Sequence, residues 1–348
     1  MIKKPRAFFR GIRIAGHKSP TDRMPAERLS AIPEVIIPLA QSIGAPAKPV
    51  VEVGQAVRRG QCIAEAAGIV SANVHASIAG TVTAIGPHPD GRGGQTDCIF
   101  ITPADVQEDA FLPPLSEPSA EEILARIAAC GIVGMGGAGF PTHVKLAPHV
   151  PVDTLILNGS ECEPYLTCDD VLMQARKNEV LRGAKYLAKA LNASNILIAI
   201  EQNKPDDIAA FADSDIDVVP LKKQYPMGAE KQLIYCCTCR KVPLGKLPAH
   251  AGVIVQNVAT AVAVCEAIEQ GKPLIERIVT VTGGGIRQPK NLICPVGTPL
   301  SVLAEACGGE QDAVKLVEGG PMTGCALTGT EAVVTKTKGG FLFLTAQE

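Results

Sequence analysis

The segment GIVGMGGAGFPTHVKL, Gly131 to Leu146, places four glycines within six residues and follows them with Phe-Pro-Thr-His and a lysine. Gly134-Met135-Gly136-Gly137-Ala138-Gly139 fits the pattern G-x-G-x-x-G. Dense glycine lets successive backbone N–H groups point into one concavity, and lets a phosphate or a flat ring approach the main chain. Lys145 would add a point charge. The ordinary dinucleotide fingerprint needs a strand just before the first glycine and a helix after the last. Here a helical pattern comes first and Pro141 follows the last glycine. Glu161 stands where a ribose-binding acid would, but it follows Asn158-Gly159 in a loop. The ordinary dinucleotide reading is therefore set aside. A phosphate or ring cradle and a mobile interdomain loop both fit the loop by itself.

A second stretch, LILNGSECEPYLTCDD, runs from Leu155 to Asp170. An apolar strand feeds directly into Asn158, Glu161, Glu163, Asp169 and Asp170. Loops at the carboxyl ends of parallel strands are where α/β sheets bind ligands. Amide and carboxylate side chains there suit ring N–H groups or ribose hydroxyls. Asp169 and Asp170 also read as caps of the helix that follows.

The elements that must hold these residues alternate in type. Ser119-Ala-Glu-Glu122 is a capping box, Ile123, Ile127 and Cys130 share a helical face, and Gly131 suits the position after a helix end. Strands are expected at 154–157, 195–200, 216–221 and 252–256, and helices at 169–191, 206–212 and 258–270. That order implies a mostly parallel α/β sheet. Before it, residues 33–103 read as short strands split by Gly and Pro, at 33–38, 49–54, 60–65 and 80–86. This part resembles the flattened barrel of biotinyl and lipoyl carrier domains, with Gly68 where the carriers have their acylated lysine, so the barrel is expected to be structural. Pro103 to Pro118 reads as a linker. From Glu276 onward, a strand at 278–282, a helix near 300–307 and Gly-rich turns suggest a small α+β module. Cys294-Pro295-Val296-Gly297 reads as a turn within it.

Composition excludes several classes. The formal net charge of −2 gives no global field that recruits nucleic acid, and 3% aromatic residues leave few platforms for base stacking. No apolar run reaches the length of a membrane span, and the basic N-terminus lacks the apolar core of a signal peptide, so a soluble, cytoplasmic chain is expected. The twelve cysteines are scattered without a secreted-domain framework or an iron–sulfur run, and are expected to be reduced. Cys236-Cys237-Thr238-Cys239 supplies at most part of a metal site, and no metal is expected. His75 and His143 each lie in a turn of small residues, and a lone histidine is more often hydrogen-bonded structure than a ligand.

GIVGMGGAGFPTHVKL, LILNGSECEPYLTCDD, YPMGAEKQLIY, GVIVQNVATAVAV and LIERIVTVTGG together resemble the RnfC family, over about Phe9 to Leu344. These are the NADH-facing, FMN-carrying peripheral subunits of the Rnf (Rsx) electron-transport complex, similar in their core to the flavin subunit of respiratory complex I. The resemblance implies an N-terminal barrel-sandwich at 1–112, an α/β FMN- and NADH-binding domain at 113–275 and a β-grasp module of the SLBB type at 276–348. It implies that Gly134, Gly136, Gly137 and Gly139 cradle FMN, with Lys145 near the flavin or its phosphate. Asn158 and Glu161 would hold the ring and ribityl chain, and Gly228, Ala229 and Glu230 a second flavin-side loop. Asn257 and Thr260 would finish the phosphate pocket, and Phe140 and Glu163 would lie where NADH stacks. No catalytic side chain is expected, because the flavin itself carries the hydride.

The resemblance further implies partner subunits of an Rnf-type complex at the cytoplasmic face of the bacterial inner membrane. Family members continue into a ferredoxin-like domain, and this sequence stops at Glu348, about where that domain would begin. Iron–sulfur clusters are therefore expected only in such a domain or in partner subunits. Gly228-Ala229-Glu230-Lys231 replaces the family's Gly-Gly-Glu-Lys, and GIRIAGHKSPTD replaces its early HPPE turn. A docking subunit like the NqrA proteins and a cobalamin-reductase relative with the same flavin site are the rival readings.

Overall fold

The computed structural model describes residues 6–348; the first five residues of the basic N-terminal stretch lie outside them. The centre is a four-stranded parallel sheet in the order Asp217–Leu221, Asn195–Glu201, Thr154–Gly159, Val253–Asn257. Period-two alternation buries both faces, as a parallel sheet requires. Leu155 and Leu157 join the core beneath helices Ala120–Ala129, Cys168–Leu191 and Val258–Glu269, while Ile156 joins Leu233 and Ile234 of helix Glu230–Thr238 on the other face. The chain runs outward from Thr154–Gly159 in one direction and returns to place Val253–Asn257 on its other side. That reversal is the switch point at which open α/β sheets form a crevice.

The N-terminal part is a barrel-sandwich of two small sheets. One holds Val35–Pro38, Gln95–Pro103, Gly80–Pro89 and Ala56–Val57; the other holds Lys48–Pro49, Cys62–Glu65 and Val74–His75. Val35, Ile37, Ile63, Val74, Val82, Ile99 and Ile101 pack its interior. The strand expected at 49–54 is observed as Lys48–Pro49, and Gly54, at positive φ, turns the chain where the expected strand would have ended. Gly68 lies in a turn with nothing near its absent Cβ. The C-terminal module is a β-grasp: Glu276–Thr282 and Gly340–Leu344 pair in parallel at its centre, Lys290–Pro295 and Lys315–Glu318 flank them antiparallel, and helix Leu300–Ala306 covers one face.

Two connections are tighter than their sequences suggest. Residues 6–28 form a strap. Arg6 bridges to Leu221, Ile12 to Tyr225, and Glu27–Arg28 adds a parallel strand to Lys290–Pro295. The proline-rich segment at 103–118 is pinned to the end of helix Val258–Glu269, where the Leu112 and Leu115 N–H groups donate to Gly271 and Ile268.

The three units meet at Lys336, which is 1% exposed. Its ammonium donates to the carbonyl of Asn73 in the barrel and to that of Gly131 at the head of the glycine loop, each at 2.8 Å. Its backbone N–H donates to Gln41, and its carbonyl accepts from Arg277. Burial brings the Lys336 amine down to about 7. Lys336→Met would leave two buried carbonyls unpaired and is expected to cost about 2–4 kcal/mol. Urea unfolding measures this, and a midpoint unchanged from the wild type would refute it.

Candidate functional site

A cleft of about 290 Å³ opens at the carboxyl ends of Thr154–Gly159 and Val253–Asn257. Its α/β wall carries Met135, Gly136 and Gly137 of the glycine loop, Asn158 to Glu163 without Gly159, and Asp169 and Asn257. Gly228 and Ala229 edge it, at the start of helix Glu230–Thr238. Its other wall belongs to the C-terminal module: Arg277, the Gly319–Gly320 turn, Thr323, Gly324 and the run Thr337-Lys338-Gly339.

The glycine loop is folded back on itself. Gly134 N–H donates to the Phe140 carbonyl, and Val133 bridges to Pro141. Met135 N–H donates to Thr260 Oγ1 at 3.0 Å, which fastens the loop to the first turn of helix Val258–Glu269. Residues 135–138 form a turn, and the N–H groups of Gly136 and Gly137, exposed where they line the cleft, meet no acceptor among the described residues. Asn257 caps that helix by accepting from Ala259 N–H at 2.8 Å, and its amide donates to Asp169 at 2.6 Å.

The acidic turn is held from within. Asn158 donates to the Gly228 carbonyl and accepts from Ser160. Glu161 has φ +46° and Tyr165 φ +68°, a left-handed conformation that costs non-glycine residues free energy and clusters at functional turns. Glu161 accepts from Asp169 N–H at 2.7 Å and pairs with Lys18 of the strap at 3.4 Å. Glu163 accepts from Met322 N–H and from the Thr323 hydroxyl at 2.6 Å, tying the turn to the C-terminal module. A Cβ on Gly320 would lie 2.1 Å from its carboxylate, so only glycine permits that approach.

The residues expected from the sequence thus separate. Gly136, Gly137, Asn158, Glu161, Glu163, Gly228, Ala229 and Asn257 line one cleft. Thr260 acts on it through Met135. Gly134 and Phe140 form the base of the loop, and the Gly139 carbonyl accepts from Ile43 of the barrel. Lys145 and Glu230 stand outside the lining and pair with each other at 2.7 Å. The capping reading of Asp169 and Asp170 is corrected: the cap position is Thr167, Asp169 faces Asn257 in the cleft and Asp170 accepts from Gln174. Cys236 and Cys237 are buried in an apolar cluster. His75 is buried and pushed down to about 3 by desolvation, so it stays neutral. Arg277, Lys338 and Thr323 were not singled out in the sequence. The signal for Arg277 was a lone arginine at an inward position of the apolar run LIERIVTVT.

Electrostatically the cleft is divided. Burial and the neighbouring Glu161 raise Asp169 to about 7. Cys168, raised by desolvation, is a neutral thiol. Ligand atoms of Glu161, Cys168 and Asp169 lie within 4.8 Å of one another, but the two carboxylates already accept from Lys18, Asp169 N–H and Asn257. Unfolded, Asp169 would ionise near ~4. Its raised folded value means that its stabilising share is whole below that pH and is lost as pH rises through about 7. Asp169→Asn is therefore expected to gain stability over the wild type at pH 8 relative to pH 5. Parallel pH profiles of the two unfolding midpoints would contradict this.

Comparison with known proteins places this geometry. Residues 127–266 match the Nuo51 FMN-binding domain, and residues 6–106 match the RnfC barrel sandwich hybrid domain. The chain is 42% identical over 355 residues to the C subunit of the proton-translocating ferredoxin:NAD(+) oxidoreductase complex of Clostridium ljungdahlii, covering 99% of this chain and 78% of the relative. It is 44% identical to the C subunit of the ion-translocating oxidoreductase complex of Rhodobacter capsulatus, over 97% of this chain and 68% of that one. It is 41% identical to the C subunit of the Na(+)-translocating ferredoxin:NAD(+) oxidoreductase complex of Acetobacterium woodii, over 90% and 73%. The fold is similar to that in a crystal structure of an NAD+-reducing nickel–iron hydrogenase in the H2-reduced state, with a TM-score of 0.52 at 20% identity over 66% of this chain and 47% of that one. The barrel-sandwich and the FMN-binding α/β core, matched over nearly the whole chain by these relatives, are those of the RnfC family of ion-translocating oxidoreductase complexes, to which this chain belongs.

Proposed function

We propose that the cleft binds FMN and oxidises NADH on it, as the entry point of electrons into a membrane-associated, ion-translocating complex. The observation that carries this reading is the pair of unpaired N–H groups at Gly136 and Gly137, beside the capped N-terminus of helix Val258–Glu269. Unpaired donors at a helix N-terminus suit a phosphate. Beside Asn158, the carboxyl oxygens of Glu161 and Asp169 offer the acceptors that ring N–H and ribityl hydroxyl groups need. The residues present therefore fit a flavin mononucleotide.

Bound FMN supplies hydride acceptance and the release of electrons singly. The chain supplies binding, alignment and exclusion of water. Glu163 holds the C-terminal module against the acidic turn, and Thr260 holds the glycine loop at the helix. Phe140 at the loop base and Glu163 at the cleft rim are the residues proposed to meet the nicotinamide nucleotide. Lys145 and Glu230 neutralise each other and act by fixing the loop to the helix that begins after Ala229. Among the described residues, no helix is long and apolar enough to cross a membrane. Attachment at the cytoplasmic face through partner subunits, and electron transfer to their iron–sulfur carriers, complete the proposal.

Anaerobic titration of the purified chain with FMN, followed by NADH, tests it. Saturable quenching of flavin fluorescence and then bleaching of the visible absorption by NADH are expected. A folded chain that binds no FMN would favour the docking reading and direct attention to Ala229. Gly137 has φ +115°, so Gly137→Ala strains the loop where it lines the cleft. This variant is expected to weaken FMN binding about tenfold or more while the unfolding free energy falls by no more than ~1 kcal/mol.

A further inference from the structure

Arg277 is 4% exposed and lines the cleft from the C-terminal module. Its Nη1 donates to the Lys336 carbonyl at 2.8 Å, and its Nε to the Ile278 carbonyl at 3.4 Å. Carbonyls orient a guanidinium without neutralising it. Among the described residues no carboxylate lies within ion-pair distance, and Nη2 donates to no oxygen. Its polar neighbours are the Cys168 thiol, which is neutral, and the Asp169 carboxyl, which acts on it from beyond ion-pair distance. A buried, unpaired guanidinium is costly unless an anion meets it. Lys338, half-buried on the same wall, also has no ion-pair partner among the described residues.

The rest of the cleft shows where that anion belongs. Met135 and Arg277 both line the main cleft, and both also line a second cavity whose walls include Ala259 in the first turn of helix Val258–Glu269. The guanidinium thus shares walls with Met135, which leads into the unpaired N–H groups of Gly136 and Gly137. Asn257, which caps that helix, packs against Gly136 and holds Asp169. The acceptors Asn158, Glu161 and Glu163 line the same cleft, with Asp169 beside Glu161.

We propose that Arg277, with Lys338 of the same module, is the cationic half of a phosphate-ester subsite whose other half is the glycine-loop N–H groups and the first turn of helix Val258–Glu269. The proposal rests on reading the cleft as a nucleotide site. The phosphate comes either from the mononucleotide cofactor or from the diphosphate of the dinucleotide substrate. Arginine is the side chain suited to this task, because its planar fork donates two parallel hydrogen bonds to a phosphate. Filling the subsite would join the C-terminal module to the α/β core through the ligand.

The shared chemistry is tested on the full chain with inorganic phosphate, by thermal unfolding against chloride at matched ionic strength. Phosphate is expected to raise the wild-type midpoint, to have no such effect on Arg277→Gln, and to act partially on Arg277→Lys, which retains the charge. No phosphate effect in the wild type, or an equal effect in all three, overturns the proposal. The source is then read from affinities. A fall of roughly tenfold or more in the preference for FMN over riboflavin in Arg277→Gln assigns the mononucleotide phosphate. An unchanged preference with a similar loss of affinity for ADP assigns the dinucleotide. If neither affinity changes, the proposal fails. A wild-type chain that responds to phosphate but binds no flavin removes the flavin reading and leaves the anion subsite standing.

Discussion

One lysine sets the relation of the three units. Lys336 places an amine almost wholly out of solvent, and no carboxylate among the described residues answers it. Such a group is tolerated only if carbonyl oxygens take its protons, and the two that do belong to different units. The barrel, the α/β core and the β-grasp module therefore cannot slide over one another without stranding a buried donor. The same backbone segment continues into Thr337, Lys338 and Gly339 on the cleft wall. What fixes the junction also fixes the mouth of the site.

The division of charge in the cleft follows from that construction. The α/β wall carries acids because its strands end in Asn-Gly-Ser-Glu and its following helix begins Cys-Asp-Asp. The C-terminal wall carries Arg277 and Lys338, one on a strand whose inward face is otherwise apolar or hydroxylated. Neither wall neutralises itself fully. Glu161 is answered by Lys18, but Asp169 rises to about 7 and Arg277 makes no ion pair among the described residues. A ligand that carries both hydrogen-bond donors and an anion satisfies both walls together. This complementarity is independent of sequence resemblance and agrees with the FMN-binding domain that the comparisons identify.

Much of this was legible in the sequence. The α/β strands and helices follow apolar periodicity closely, and the capping box at Ser119 forms with both of its hydrogen bonds. The acidic turn sits at a strand end by the sheet's switch point, and the glycine loop, which follows helix Ala120–Ala129, is fastened there by the Met135–Thr260 hydrogen bond. Helix Glu230–Thr238 escaped notice because Ala229 offers no capping side chain and the segment ends in Cys-Cys-Thr, which has poor helix propensity. The strap and Lys336 escaped for a different reason. Pairings across more than two hundred residues, such as Arg6 with Leu221 or Asn73 with Lys336, leave no local pattern, and TKTKGG reads as solvated charge. Spacing likewise could not show that Lys145 and Glu230 choose each other.

The strap carries a consequence for the order in which the molecule can be built. Lys18, made early, donates to the Glu161 and Leu166 carbonyls and so supports the acidic turn from below. Arg277 and the Thr337-Lys338-Gly339 wall are made after the whole α/β core. During synthesis the α/β sheet can form with its floor braced while the cleft still lacks a side. A nucleotide that needs both walls has no complete seat until the β-grasp module has emerged and docked. On the proposed reading of the cleft, cofactor capture is deferred past the synthesis of the domain that carries the glycine loop, and a nascent chain stalled before that point would present acids and unfilled N–H groups without the second wall.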